Sequence, residues 1–373
     1  MKVVVNGEAV RFTSLDVTLN YDSVSDTFGF TLPYQGGTKW KPLKYLPVTI
    51  EDGERTLLKG TIISHRFKSN SNANELAISG YSKTGILEDC PNVNDEITGN
   101  SGAESSGQST CFSSISLLEL AKQLCNPFGI EVTYDPLVAD YVNSTYEQAT
   151  TTPEESIAAY LGKLATLKNV VLRSTLDGQL LFTQIDEKGP IAAHFNSGTD
   201  EGIEFSLDVN GQRMHNKIYV AGRADLYESD SEDIAKTGDA EPIINPLVKD
   251  TRRSTLKVQG TEIQLIKDVS KAVLADELKN IVVTITIQGN KLEREVVEND
   301  NGKETVSYSE LKPGNLVTIH APDICINRLK DKTIPVFMVR SINHKENAKE
   351  KTMTITCVLP QTMTGNTPSL IFG

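Results

Sequence analysis

The sequence predicts a mainly β protein with α+β parts: two related antiparallel β-barrel domains and one interleaved α+β domain. Three observations support this class. Short runs of alternating apolar and polar residues fill both ends of the chain, which is typical of half-buried strands. A similar series of three such runs occurs near each end. Helix-to-strand units occur in the middle of the chain, between the two series.

The repeated series indicates an internal duplication. The first copy consists of Val48–Ile50, Gly60–Ile63 and Leu76–Gly80, and the second of Val317–Ile319, Val336–Val339 and Met353–Cys357. In both copies a long, charged, Asn-rich turn separates the last two runs, as expected for a solvated hairpin tip. Meanders of this kind are common in β proteins, so the pattern alone leaves duplication and coincidence both open.

Three helix-to-strand units occupy the middle of the chain. The first helix has capping-box spacing between Ser116 and Glu119, and it ends at Pro127 and Gly129. The second helix begins at Pro153, a favoured first helical residue, and the third begins near Ser270. The strands that follow are Ile130–Tyr134, then Val170–Arg173 and Gln179–Ile185 around a turn at Asp177–Gly178, and finally Ile281–Ile287 before a hairpin tip at Asn301–Gly302.

Composition shifts set the predicted domain boundaries. A Gly/Ser/Asn-rich stretch with few apolar residues marks a linker after the first β region. The predicted domains are a first β-barrel at 1–91, a linker at 92–110, a discontinuous α+β outer domain at 111–202 and 225–310, and a second β-barrel with its C-terminal tail at 203–224 and 311–373.

Composition and charge exclude several protein classes. The 373 residues are 38% apolar and 23% charged, with no run long enough for a membrane helix and too short an apolar start for a signal peptide. We therefore expect synthesis in a cytoplasm. The formal charge of −12 argues against binding nucleic acid through phosphate neutralisation. Part of this negative charge lies in the acidic segment 225–241, which we interpret as a solvated loop or as the lining of a channel.

The sequence offers no catalytic, cofactor-binding or metal-binding residues. It has no Cys-x-x-Cys pair among five cysteines, no Gly-x-Ser-x-Gly and no phosphate-binding Gly-rich loop. Lys83 and Asp89 superficially resemble a catalytic pair, but an ion pair or a packing role at that turn is favoured. None of the five histidines has metal-ligand spacing to another His or to Cys: His65, His194, His215, His320 and His344. The sequence thus predicts a protein that is not an enzyme and carries no cofactor.

The segment Ile78–Cys90 resembles a motif of the baseplate hub proteins of contractile-tailed phages, the Mu-like and late-control-protein-D-like tail hubs. In that family a strand ends in Gly and is followed by a polar pair, a hydroxyl residue, Leu and Asp-Cys or Asp-Ser. Tyr81 stands where Arg is common, and Lys83 supplies the basic residue. The matching residues are Gly80, Ser82, Thr84, Leu87, Asp89 and Cys90.

Further segments resemble the same family in the same order along nearly the whole chain. The acidic segment 225–241 departs from it, because no family motif matches there. The similar segments are Leu117–Ile130, Thr152–Gln184, Arg213–Arg223 and Leu311–Val317 with Val358–Pro360.

The resemblance implies a structural hub at the end of a phage tail. Such hubs form a homotrimeric ring of pseudo-sixfold symmetry, which joins the sixfold tail tube protein to the threefold central spike protein and passes DNA without binding it specifically. The implied partners also include tape measure and baseplate wedge proteins, with no membrane contact, in the virion tail baseplate. Three alternatives remain: the trunk of a contractile secretion or tailocin spike, for which no fused needle follows; a peptidoglycan hydrolase; and a stand-alone β-rich binding protein.

Overall fold

The computed structural model describes most of the chain. The fold class that the sequence predicts, mainly antiparallel β with helices, is confirmed. Two compact units are formed, residues 1–184 with 341–353 and residues 185–340 with 354–373. No described helix is long and apolar enough to cross a membrane. The described residues are 1–34, 40–69, 74–91, 111–151, 154–166, 170–200, 202–222, 242–258, 263–289, 293–299, 302–329 and 331–372.

The first unit begins with an antiparallel sheet. Its strands are β1 (Lys2–Val5), β2 (Glu8–Val10), β3 (Ser14–Asn20), β4 (Thr27–Pro33), β5 (Pro47–Asp52), β6 (Arg55–Ser69) and β7 (Asn74–Ser82). They are ordered β3-β4-β7-β6-β5-β1-β2. Alternate residues such as Leu15, Val17 and Leu19 are buried, so period-2 patterning supplies the core.

The rest of the first unit is α+β. Its elements are α1 (Ile86–Asp89), β8 (Cys111–Ser116), α2 (Leu117–Cys125), β9 (Val132–Tyr134), α3 (Ala139–Asn143), β10 (Thr145–Thr150), α4 (Ile157–Thr166), β11 (Val171–Ser174) and β12 (Leu180–Thr183). The predicted capping box is confirmed, because Ser116 Oγ accepts from the Glu119 amide at 3.2 Å and the Glu119 carboxylate accepts from the Ser116 amide at 3.2 Å. Helix α4 begins later than predicted, with Ser156 accepting from the Ala159 amide; Pro153 lies outside the described residues.

The second unit mixes strands with one long helix. Its elements are β13 (Ile191–Asn196), β14 (Ile203–Val209), β15 (Lys217–Gly222), β16 (Ile243–Ile244), β17 (Arg253–Val258), α5 (Ile263–Leu278), β18 (Ile281–Gln288), β19 (Glu293–Asn299), β20 (Gly302–Ser307), β21 (Leu316–His320), β22 (Val336–Asn347), β23 (Lys351–Val358) and α6 (Gln361–Thr364). Strand β22 crosses into the first unit after Arg340, and β23 returns to the second unit at Thr354.

The two halves of the chain share one strand order. The first follows β1-β5-β6-β7-β4-β3, and the second follows β13-β21-β22-β23-β18-β14. Matched strands also come in the same sequence order, and both repeated series fold as three adjacent strands. One difference is direction, because β1 is antiparallel to β5 whereas β13 is parallel to β21. This shared order favours duplication over coincidence.

Three segments differ from their predicted assignments. The sequence predicts that β15 belongs to the second barrel, but this strand pairs with β16 and β17 in a separate sheet. The sequence assigns β18 to the outer domain, but this strand lies between β14 and β23. Strand β13, also assigned to the outer domain, pairs with β21. Local patterning shows that a segment is a strand, but not which distant strand it pairs with. The linker 92–110 and the acidic segment 225–241 lie outside the described residues.

Candidate functional site

The six motif residues lie where the chain leaves the first sheet and enters the α+β part of the first unit. Gly80 and Ser82 end strand β7, and Thr84 lies in the 3-10 turn Lys83–Gly85. Leu87 and Asp89 belong to the single-turn helix α1, and Cys90 follows it. The motif therefore forms one continuous connection between two structural parts. We call the residues 80–90 the junction.

Gly80 is required by a close approach of two backbones. A Cβ atom at Gly80 would lie 2.0 Å from the Thr61 carbonyl oxygen on the neighbouring strand β6. Gly60 is the reciprocal case, since its Cβ would lie 2.1 Å from the Tyr81 carbonyl oxygen. Because no real Cβ atom tolerates such distances to backbone, the two glycines allow β6 and β7 to come together at this bulged position.

Ser82 and Thr84 attach the junction to the loop between β3 and β4. The Ser82 amide donates to the Asp26 carbonyl at 2.7 Å, and the Asp26 amide donates to Ser82 Oγ at 3.1 Å. Thr84 Oγ1 donates to the Val24 carbonyl at 2.6 Å. Both hydroxyl side chains are buried. These bonds replace water for buried polar groups, so they fix the direction in which the chain leaves the sheet.

A buried charged cluster lies beside this loop. The Arg173 guanidinium is 5.3 Å from the centre of the Tyr21 ring, a cation–π geometry. Burial raises the pKa of Asp26 from 3.8 to about 7, although the amide of Asn20, at 2.7 Å from its carboxylate, and Arg173 both act to lower it. Burial also raises the pKa of Tyr21 to about 12. Sequence reasoning missed this cluster, because Arg173 is about 150 residues from its partners and no local pattern marks it.

Leu87, Asp89 and Cys90 fasten the other end of the junction. Leu87 is fully buried in the core of the α+β part. The Asp89 carboxylate accepts from the Tyr81 hydroxyl at 2.6 Å. The Cys90 carbonyl accepts from the amide of Ile157, the first residue of α4, at 3.0 Å. Each motif residue therefore makes a structural contact within the first unit.

Lys83 and Asp89, the superficially catalytic pair, have different partners. Lys83 Nζ donates to the Gly129 carbonyl, whereas Asp89 bonds Tyr81. The stem of Lys83 lies against Gly178, where a Cβ atom would come within 2.9 Å of it. Gly178 has φ +79° in the predicted Asp177–Gly178 turn. Lys83 therefore packs the α+β part onto the junction, as the packing alternative expects.

Two further contacts join the α+β part to the first sheet. Lys59 Nζ on β6 lies 2.7 Å from the Asp177 carboxylate, with both side chains about half exposed. The Ser174 amide donates to the Ser23 carbonyl at 3.2 Å. Exposed ion pairs contribute little stability. The buried hydroxyl bonds of Ser82 and Thr84 therefore contribute more to the attachment than the exposed ion pair.

The histidines and cysteines are dispersed among structural contacts. His194 Nδ1 lies 2.7 Å from Thr318 Oγ1, and His215 Nδ1 lies 2.6 Å from the Glu277 carboxylate. Cys125 and Cys357 are buried free thiols, as predicted. Among the described residues, no group of three or more His, Cys, Asp or Glu side chains is arranged to hold a metal ion.

The junction and the α+β part that follows it match a known domain. Residues 84–184 match the family model described as baseplate hub protein gp44-like, second domain. Residues 84–184 are thus similar to a gp44-like hub domain. The resemblance to Mu-like tail hubs that the sequence predicts is therefore confirmed. The matched range begins at Thr84 and includes Leu87, Asp89 and Cys90, and it contains the buried Arg173.

Comparisons with individual proteins agree with this match. Baseplate hub protein gp44 of Escherichia phage Mu is 25% identical over 174 residues, which is 46% of this chain and 42% of that protein. The 43 kDa tail protein of prophage MuSo2 from Shewanella oneidensis has the same fold, with a TM-score of 0.74 at 16% identity over 97% of this chain and 98% of that one.

A more distant protein shares the fold outside phages. The E. coli c3393 protein, a component of the type VI secretion system with structural similarity to the T4 bacteriophage tail proteins gp27 and gp5, aligns with a TM-score of 0.54 at 10% identity. The alignment covers 100% of this chain and 80% of that one. At such identity the likeness shows the fold alone.

Proposed function

We propose that this protein is the structural baseplate hub of a contractile phage tail. The observation that carries the proposal is the gp44-like second domain at residues 84–184, set within a fold that matches a Mu-like prophage tail protein along nearly its whole length. The hub lies in the virion tail baseplate after synthesis in the host cytoplasm. Its partners are the tail tube protein, the central spike protein, and tape measure and baseplate wedge proteins.

In this role the chain forms a homotrimeric ring. The shared strand order of the two halves of the chain supports this assembly, because three copies with two similar modules each give six similar modules around one axis. Such a ring presents six near-equivalent surfaces to a sixfold tube and keeps threefold symmetry for the spike. The duplication thus has a mechanical purpose.

DNA passes through this ring without specific binding. A groove of about 470 Å³ lies over β3, β4, β6, β7 and β22, and its lining includes Asp16, Arg66, Ser79, Lys345 and Glu346. Two acidic and two basic side chains balance there, and Lys345 lies 3.7 Å from Asp16. Since the whole chain has a formal charge of −12, a ring lined by such faces would not retain phosphates.

The motif residues Gly80, Ser82, Thr84, Leu87, Asp89 and Cys90 serve this function structurally. They attach the gp44-like domain to the first sheet through the buried hydroxyl bonds of Ser82 and Thr84 and the exposed Tyr81–Asp89 hydrogen bond. We propose that the protein has no enzymatic activity, because Lys83 and Asp89, the pair that resembles catalytic residues, bond the Gly129 carbonyl and the Tyr81 hydroxyl instead of each other.

A second candidate is the trunk of a contractile secretion or tailocin spike. The shared fold with the type VI component c3393 favours it. The gp44-like domain favours the phage hub over this trunk. A stand-alone β-rich binding protein is the third candidate, and its mark would be a monomer in solution.

The mass of the purified chain in solution tests the ring. We expect a species of three times 40.8 kDa by analytical ultracentrifugation, alone or on addition of the spike protein encoded with it. A chain that stays monomeric under both conditions would contradict the hub and favour the stand-alone binding protein.

A further inference from the structure

The described part of the first unit exposes its large apolar side chains mainly in two places. Six such side chains are 40–73% exposed there, and five of them belong to two short segments. Leu43 and Tyr45 lie on residues 41–45, which we call the 41–45 loop. Tyr134, Leu137 and Tyr141 lie on residues 134–141, which we call the 134–141 face. Exposed apolar residues that cluster in this way are typical of an interaction surface.

The 41–45 loop is held at both ends and exposed in the middle. Trp40 before the loop is buried, and Leu46 after it packs on the core of the first sheet. All five side chains between these two residues are exposed, with Leu43 73% and Tyr45 58% exposed. Both Leu43 and Tyr45 have left-handed backbone, at φ +60° and +48°. That conformation is unfavourable for a residue with a Cβ atom, and it often accompanies a binding role.

The 134–141 face combines the end of β9 with helix α3 and the 3-10 turn before it. Leu137 and Tyr141 are four residues apart along these two helical turns, so they lie on the same side. Val138 and Val142 lie on the other side and are fully buried in the core of the α+β part. Asp135 fixes the start of the turn, since its carboxylate accepts from the Leu137 amide at 3.0 Å. The exposed apolar side chains therefore stand on a well-anchored support.

The two segments lie in stretches of opposite charge. Between Asp26 and Glu51 the sequence has three lysines and no acidic residue, and two of these lysines belong to the 41–45 loop. Between Lys122 and Lys163 it has six acidic residues and no lysine, arginine or histidine. Two of those six acids belong to the 134–141 face, and one of them, Asp140, is exposed. Opposite charges steer two such surfaces together and disfavour like-charged partners.

We propose that the 41–45 loop of one copy docks on the 134–141 face of a second copy. Leu43 and Tyr45 cover Leu137 and Tyr141, and Lys44 lies beside Asp140. A second copy is the occupant because each surface supplies what the other needs, apolar side chains for apolar side chains and lysines for carboxylates. Tyrosines suit such a contact, since the ring buries apolar area while the hydroxyl stays wet, and a lysine can lie over the ring face.

This contact is head-to-tail, because each copy offers its loop to one neighbour and its 134–141 face to the other. Heterologous contacts of this type generate a ring when the rotation closes. The contact uses side chains of a loop and of the gp44-like domain, so it gives that domain a part in joining the copies. The inference rests on the proposed trimer, and it specifies one contact between its copies.

Site-specific photocrosslinking tests the contact in the full-length chain. The probe is the photoreactive amino acid benzoylphenylalanine, placed at Leu43, where an exposed side chain tolerates replacement. We expect irradiation to give covalently linked copies in denaturing gels, and peptide mass spectrometry to place the link within residues 134–141. The same probe at Leu370, which is also exposed, is the control and should give no link to those residues. Links from Leu43 to other segments only, with the trimer present by ultracentrifugation, would overturn the docking and leave the trimer standing.

Charge exchange gives an independent measurement. Lys44→Glu or Asp140→Lys alone should raise the dissociation concentration of the trimer several-fold, because each change places like charges together, and the double exchange should restore it. Lys349→Glu reverses an exposed lysine between β22 and β23, so it is the matched control and should change nothing. Single exchanges without effect, or a double exchange that fails to restore the trimer, would refute the docking. A wild-type chain that is monomeric throughout would refute both the docking and the ring.

Discussion

The Thr84 hydroxyl donates a hydrogen bond of 2.6 Å to the carbonyl oxygen of Val24, which lies 60 residues earlier in the chain. This bond joins the first turn of the gp44-like domain to the loop between strands β3 and β4. Because Thr84 is fully buried, water cannot replace the donor if it is removed.

Thr84→Val should therefore lower the free energy of unfolding by about 1–3 kcal/mol, since it leaves a buried carbonyl oxygen without this donor. Urea unfolding measures the change. Thr13→Val is the matched control, because the Thr13 hydroxyl makes a similar bond to the Thr31 carbonyl at 3.1 Å in an exposed position. Equal losses in the two variants would show that burial of the Thr84 bond is unimportant.

Gly80→Ala should destabilise the first unit by about 1–3 kcal/mol or more, because the added Cβ would meet the Thr61 carbonyl at 2.0 Å. Gly29→Ala on the adjacent strand β4 is the control. Its Cβ would lie 3.7 Å from the Ile78 carbonyl oxygen, an ordinary contact, and we expect little change. Thermal unfolding compares the two. A Gly80 variant as stable as the Gly29 variant would disprove the close approach of β6 and β7.

The free energy of unfolding should depend on pH through the carboxyl group of Asp26. Its pKa is raised to about 7 in the folded state by burial, so the folded state binds a proton more tightly than the unfolded state between pH 4 and 7. The contribution of Asp26 to stability is therefore fully present below pH 4 and is lost as the pH rises through 7, by an amount on the order of 4 kcal/mol.

Asp26→Asn should remove this dependence, because the amide keeps an oxygen for the Asn20 backbone N–H but does not titrate. Chemical unfolding of both proteins from pH 4 to pH 8 gives the comparison. We expect the variant to gain stability relative to the wild type as the pH rises. If the free energies of unfolding of the two proteins changed in parallel with pH, Asp26 would not be the source of the pH dependence.

His344 should make the free energy of unfolding depend on pH in the direction opposite to Asp26. Burial lowers its pKa to about 4, and among the described residues neither ring nitrogen has a hydrogen-bond partner. Its contribution to stability is present above pH 6.5 and is lost as the pH falls through 4, by about 3 kcal/mol. His344→Leu should reduce this acid sensitivity and be at least as stable at pH 7, as measured by the same unfolding series. A variant that keeps the full acid sensitivity would exclude His344 as its source.

The isolated trimer should not bind duplex DNA in a salt-dependent manner. Fluorescence anisotropy at low and at moderate salt measures this binding. Asp16→Lys offers a positive control, since it removes the acidic neighbour of Lys345 in the groove over β3, β4, β6, β7 and β22 and adds a basic side chain. We expect this variant to bind more tightly at low salt than the wild type. Tight, salt-sensitive binding by the wild type would count against a non-adhesive channel.

Local sequence signals predicted local structure well. Three local features lie where the sequence predicts them: the Ser116 capping box, the Asp177–Gly178 turn and the repeated three-strand series. Each depends on residues only a few positions apart, namely on cap and turn residues or on the alternation of apolar and polar residues. The sequence could not predict that β18 lies between β14 and β23, or that Arg173 lies over the Tyr21 ring. Those relationships depend on long-range pairing, which a pattern of alternating residues does not encode.

The outer half of β22 has a consequence for synthesis of the protein. Strand β3 is complete within the first 20 residues, but its edge partner, Ser341–Asn347, leaves the ribosome more than 300 residues later. During that interval the nascent chain presents an open strand edge, a site for wrong pairing with other chains. Premature termination before residue 341 would leave the edge open permanently. Such fragments are expected to aggregate, so full-length translation is a condition for a soluble first unit.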